Sequence, residues 1–212
     1  MDPRPLASDE LKPRPGNTTG STNRRMLPLA APNPWHLRAK VRQAHLVPPA
    51  VDIACQACAE GKAGWPLFLW GPPGTGKTCA ALHLLDRIRG AGRGHYFDAA
   101  DLASKAADAM MGRLEHGGRT ISAELFWYSL GEAQLVVLDD LGARERVKDH
   151  AYDCVKKLLD LREGKPLVAI SNMRPGELVR IYDDRIVSRL ASGTVLFVPG
   201  SDRRLDQRPL GE

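Results

Sequence analysis

No run of apolar residues in this 212-residue chain approaches the roughly 18 that a membrane span needs. Prolines and charges follow Met1, where a secretory leader would require an apolar stretch. Cysteine is scarce too: Cys55, Cys58, Cys79 and Cys154 are too few and too scattered to staple a fold. That excludes the disulfide-rich secreted class, so a reducing, cytoplasmic setting is expected. Cys55 and Cys58 supply at most half of a zinc-ligand set and read as small apolar residues. No internal repeat is visible. What the chain does have is 43% apolar content, enough for one sizeable core but not comfortably for two domains. Its net charge of +5 permits contact with nucleic acid without requiring it.

Composition divides the chain. Met1 to Pro34 carries prolines at positions 3, 5, 13, 15, 28, 32 and 34 and almost no apolar clustering, so residues 1–34 are expected to be a disordered tail. "WHLRAKVRQAHL" (Trp35 to Leu46) suggests a short basic helix closed by Pro48 and Pro49, a docking element or a connector spanning 35–50. From 51 to 203 short apolar runs alternate with amphipathic stretches, which favours a parallel sheet covered by helices on both faces. Strands are predicted at Leu67 to Trp70, His95 to Asp98, Leu135 to Asp139, Leu167 to Ser171 and Val195 to Val198. Helices are predicted at Val51 to Glu60, Lys77 to Arg89, Ala100 to Glu115, Ile121 to Leu130, Asp149 to Arg162, and Gly176 to Ala191 with a break at Asp183-Asp184. Residues 204–212 form a C-terminal tail.

The strongest local signal is "GPPGTGKT": Gly71, Pro72, Pro73, Gly74, Thr75, Gly76, Lys77 and Thr78 fit G-x-x-x-x-G-K-[ST] between a strand and a helix. Residues without a Cβ can bring backbone N–H groups against phosphate oxygens, and the following helix adds its partial positive charge. Lys77 is expected to bridge the terminal phosphates of ATP, and Thr78 to offer its hydroxyl to Mg²⁺. Cys79 follows at the helix start, where a thiol pKa can fall, but packing is the simpler role. "QLVVLDDLG" delivers Asp139 and Asp140 at the end of a buried strand, Asp139 for the Mg²⁺ shell and Asp140 to polarise the attacking water. "PLVAISN" ends in Asn172, an amide able to orient that water or contact the γ-phosphate. "DDRIVSRLASG" sets Arg185 and Arg189 four apart on a short helix with Asp184 as its expected N-cap.

Together "GPPGTGKT", "LVVLDDLG", "ISN", "DRIVSRL" and "FVPGSDR", with "YFDAADL" at 96–102, make the chain resemble the AAA+ domain of the DnaC/DnaI helicase loaders and the IstB transposition-helper ATPases. The resemblance covers roughly Val51 to Arg203. It implies an α/β P-loop NTPase of the AAA+/ASCE type, a three-layer sandwich around a five-stranded parallel sheet, with little or no C-terminal lid. It also assigns roles: Lys77 and Thr78 as the Walker A pair, Asp139 as the Walker B metal acid, Asp140 as the catalytic acid and Asn172 as sensor 1. Arg189 matches the arginine finger acting on a neighbouring subunit's nucleotide, with Arg185 beside it, and Arg203 falls near a sensor-2-like position. Because position 140 is more often Glu in such ATPases, slow turnover is expected.

The implied partners are ATP and ADP, further copies of the chain in a homo-oligomer, single-stranded DNA, and a replicative helicase or transposase; no membrane is implied. Candidate DNA contacts lie in "GRLEHGGRTISAELFWYSL", where Arg113 and Arg119 stand near Phe126, Trp127 and Tyr128, at least one of which must be core. Two other functions fit the phosphate loop: a nucleotide-gated binding module with negligible ATPase activity, and a small-molecule kinase. The kinase would need an acceptor pocket and an Arg-rich lid, and neither is legible.

Overall fold

The computed structural model describes residues 48–89, 94–143 and 149–203, so the tails at 1–34 and 204–212 and nearly all of 35–50 lie outside it. The described chain begins with α1 (Pro49–Ala59) and β1 (Leu67–Trp70), followed by α2 (Lys77–Arg89) and β2 (Gly94–Asp98). Next come α3 (Ala99–Met110), a short hairpin of β3 (Glu115–His116) and β4 (Arg119–Thr120), and α4 (Ala123–Gly131). The chain continues through β5 (Leu135–Leu141), α5 (Asp149–Leu161) and β6 (Leu167–Ser171), then α6 (Pro175–Tyr182), α7 (Asp184–Leu190) and β7 (Thr194–Phe197).

Five strands form one parallel sheet in the order β2-β5-β6-β1-β7. Period-two alternation explains its two buried faces. In β5, Leu135 and Val137 point to one side and Val136 and Leu138 to the other, and all four are fully buried. The first side is covered by α1 and α2 through Val51, Cys55, Ala81, Leu82 and Leu85. Helices α3 to α7 cover the second, around Leu102, Phe126, Val155, Leu158, Leu178 and Leu190. The result is the expected three-layer sandwich. No described helix is long and apolar enough to cross a membrane.

Local chemistry sets several element ends. The Asp98 carboxylate accepts from the Asp101 N–H at 2.7 Å and the Ser122 hydroxyl from the Leu125 N–H at 3.2 Å, starting α3 and α4 as N-caps. Two expectations need correction. The helix predicted to run to Glu115 stops at Met110, closed by left-handed Gly112 at φ +67° and the Arg113 N–H donating back to the Asp108 carbonyl at 2.8 Å. Gly117 and Gly118, at φ +57° and +74°, then turn the chain into a hairpin. Such a Gly-Gly pair is a two-residue hairpin signal, masked here by the helix formers around it. The N-cap of α7 is Asp183, not Asp184: its carboxylate accepts from the Ile186 N–H at 3.0 Å, and Asp184 is already helical.

Candidate functional site

The glycine-rich loop leaves the carboxyl end of β1, and α2 starts at Lys77. Gly71, Gly74 and Gly76 take φ of +146°, +74° and +95°, which disfavour any side chain. Space forbids one as well: a Cβ on Gly71 would run into the Val198 carbonyl, and one on Gly74 would lie 2.7 Å from Asp202 Cα. The segment after β7 therefore packs against the loop, and the Arg203 N–H donates to the Gly74 carbonyl at 3.1 Å. Lys77 is 4% exposed, its ammonium donating to the carbonyls of Gly71 at 2.8 Å and Pro72 at 2.7 Å. Thr75 closes the turn by donating to the Pro72 carbonyl at 3.1 Å.

Beside the loop, Asp139 is nearly fully buried near the end of β5 and accepts three hydrogen bonds. Thr78 Oγ1 donates to its Oδ2 at 2.8 Å, the Tyr96 hydroxyl to the same oxygen at 2.9 Å, and the Asp140 N–H to Oδ1 at 2.7 Å. Burial pushes the Asp139 carboxyl above its ordinary value, with the bond from Thr78 pulling it back down. Asp140 itself is exposed, at φ +54°, where β5 breaks register with β6 between Leu138 and Leu141. This left-handed residue lets two consecutive acids differ in surroundings, one buried and bonded, the other facing water. Asn172 is exposed directly after β6. Its neighbour Ser171, fully buried, donates to the Leu141 carbonyl at 2.7 Å and accepts from the Met173 N–H at 3.0 Å, tying the ends of β5 and β6 together.

Thus Gly71 to Thr78, Asp139, Asp140 and Asn172 gather along the carboxyl edge of the sheet, with Arg203 brought to the loop through its backbone. Arg185 and Arg189 do not join them. Both are exposed on α7, and Arg189 is ion-paired with Asp160 of α5. Arg189 shares a hollow with Pro66, which precedes β1, with Leu167, which opens β6, and with Arg162, Ser188 and Ser192. It therefore stands at the amino end of the strands whose carboxyl ends carry the loop.

The aromatic part of the expected DNA surface is corrected. Phe126 and Trp127 are core residues, packed edge-to-face against one another, with Phe126 also against Phe97. Lys157 covers the indole at 4.6 Å, so neither ring can stack on a base. Tyr128 is exposed, as are Arg113, ion-paired with Asp108, and Arg119.

Sequence reasoning missed Tyr96 and Ser171. The available signal for Tyr96 was parity: β2 pairs with β5 in the register Tyr96↔Val137 and Asp98↔Asp139, so Tyr96 shares a sheet face with Asp139. Among the described residues no group of three or more His, Cys, Asp or Glu could hold a metal. A cation at Asp139 and Thr78 would complete its shell with phosphate and water, as Mg²⁺ commonly does.

No known family profile matches the chain, and no curated protein matches it by sequence. Solved structures do. The replication initiator DnaA bound to AMPPCP and single-stranded DNA superposes with a TM-score of 0.58 at 23% identity, over 72% of this chain and 46% of that one, so the present chain spans about half of that protein's length. Domain III of Thermotoga maritima DnaA gives 0.60 at 20% identity, over 82% and 70%. DnaI gives 0.53 at 21% identity, over 73% and 82%. With its sheet order and its glycine loop at the carboxyl end of β1, this chain has the P-loop AAA+ fold seen in DnaA and DnaI.

Proposed function

We propose that this chain is an ATP-binding AAA+ ATPase, similar to the DnaC and IstB proteins, that hydrolyses ATP at subunit interfaces to load or remodel a replicative helicase or transposase complex on single-stranded DNA. The observation that carries this reading is the constellation of Lys77, Thr78 and Asp139 at the mouth of the glycine loop. The Lys77 ammonium, now held by two loop carbonyls, reaches phosphate oxygens by exchanging those partners. Loop N–H groups and the start of the 13-residue helix α2 add donors and partial positive charge. Thr78 and Asp139 would hold the Mg²⁺, which offsets charge on the transferring phosphoryl group. Asp140 meets solvent one residue further on, where a carboxylate can take the proton of the attacking water; Asn172 supplies a neutral donor at the same edge.

Arg189, at the opposite edge from the loop of its own chain, serves the nucleotide of a second copy, with Arg185 beside it. Arg203 lies close enough to the loop to turn its guanidinium toward a phosphate. DNA contact rests on Arg113 and Arg119, on the net charge of +5, and on the DnaA relative that holds single-stranded DNA. The ATPase unit is residues 51–203, preceded by a short basic docking or linker segment at 35–50.

Mixing tests the composite site. Lys77→Ala lacks the phosphate grip and Arg189→Ala lacks the finger, so each alone should be inactive. Mixed in equal amounts with single-stranded DNA, they should recover about a quarter of wild-type ATPase if finger and loop pair randomly in trans. No recovery would place finger and loop in one chain. A wild type that binds ATP but never hydrolyses it would identify the nucleotide-gated module instead.

A further inference from the structure

We infer that Tyr96 is a positioning residue of the phosphate site, holding the Asp139 carboxylate in place for the cation that accompanies the nucleotide. This inference rests on the reading of Lys77, Thr78 and Asp139 given above. Asp139 stays in register with Asp98 of β2, but toward β6 the strand loses register between Leu138 and Leu141 and the next residue is left-handed, so the orientation of this carboxylate is left to its own hydrogen bonds. Three donors supply them. The Asp140 N–H fixes Oδ1, while the hydroxyls of Thr78 and Tyr96 converge on Oδ2 at 2.8 and 2.9 Å.

The two hydroxyls are not equivalent. Thr78 lies in the first turn of α2, and its oxygen is the one the cation requires. Tyr96 lies inside β2, a strand hydrogen-bonded to β5 along its whole length from Gly94 to Asp98, with buried His95 and Phe97 on either side. It is therefore fixed to the same sheet as its acceptor. Its hydroxyl donates to Asp139 independently of Thr78, so it keeps the carboxylate oriented when Thr78 turns toward a cation. Partners of this kind, which orient a ligating carboxylate from behind, commonly matter by one to two orders of magnitude in metal affinity.

The test is Tyr96→Phe in the full chain, which keeps the ring and removes the hydroxyl. A fluorescent ATP analogue is titrated with and without Mg²⁺, and the ratio of the two affinities is read within each protein, so that any general weakening of the fold cancels. We expect affinity without Mg²⁺ to stay within about twofold of wild type and the Mg²⁺ concentration for half-maximal response to rise about tenfold. In an Asp139→Asn background, Tyr96→Phe should shift the Mg²⁺ response no further, because the hydroxyl acts through the carboxylate. Superimposable Mg²⁺ curves for wild type and Tyr96→Phe would overturn the assignment, and so would a shift that persists without Asp139. A wild type whose nucleotide affinity ignores Mg²⁺ fails earlier, refuting the site reading itself and this inference with it.

Discussion

The two ends of the sheet are built on opposite plans. At the carboxyl edge, Lys77, Thr78, Tyr96 and Asp139 are buried or partly buried, and each is hydrogen-bonded within the chain. At the amino edge, Arg189 stands half exposed near the end of a seven-residue helix, paired among the described residues only with Asp160, itself about half exposed. An exposed pair of this kind is worth about 1 kcal/mol or less, so Arg189 can be drawn away by a stronger anion. A grip must be preorganised to bind phosphate, whereas a group that acts on another molecule must be reachable. The contrast is what the proposed composite site requires, with one half of a site at each end of the chain's sheet.

The most decisive way to break this comparison is to remove the outward half. Arg189→Ala should leave nucleotide affinity within about twofold and lower DNA-stimulated ATPase by roughly 10³-fold. Parallel loss of binding, seen in a fluorescent-nucleotide titration beside the hydrolysis assay, would move Arg189 into its own chain's site.

The amino edge also contains a purely structural arginine, which sharpens the contrast. Arg162 is 2% exposed and donates to the carbonyls of Leu130, Gly131, Ala133 and Pro166 at 2.6 to 3.3 Å. Burial pulls its pKa down to about 10, still far above neutrality. Arg162→Met would take a donor from all four carbonyls, leaving Gly131 to Lys165 and Pro166 to the Val136 N–H, and should cost about 3 kcal/mol of unfolding free energy in urea titrations. Nucleotide affinity per folded molecule should not change. A stability near wild type would show that water replaces the guanidinium.

The smallest effect concerns the cap of the arginine helix. Bonds from the Ile186 N–H and the Tyr152 hydroxyl hold the Asp183 carboxyl below its ordinary pKa of 3.8. A carboxyl depressed in the folded state stabilises it above the unfolded pKa, and that contribution is lost as pH falls through the folded value. Asp183→Ala should therefore lower Tm by a few degrees at pH 7, the gap from wild type narrowing below pH 3.8. A gap independent of pH would assign the loss to the backbone at φ +80° rather than to the charge.

Legibility in the sequence tracked how local each cause is. Strands β1 and β6 and helix α2 have the predicted limits, because apolar runs and the glycine loop are self-contained signals. Asp139 and Asp140 were both visible, but not that one would be buried and the other turned outward; that depends on the mismatch between β5 and β6. Phe126 and Trp127 read as possible base platforms because three adjacent aromatics do not reveal which side of a helix meets the core. Arg162 read as a helix end, since its four acceptors come from the end of α4, the turn after it and the residue before β6.

By itself the sequence determined the phosphate loop, the parallel α/β layering and the succession of acid, amide and arginines along the chain, since each depends on residue type and spacing over a few positions. Only the tertiary structure decided that Tyr96 shares a carboxylate oxygen with Thr78, that Arg162 is a staple, and that Arg189 faces away from its own loop. Those facts depend on which strands become neighbours and in what register, a choice made by packing two faces of one sheet at once rather than by any short stretch of the chain.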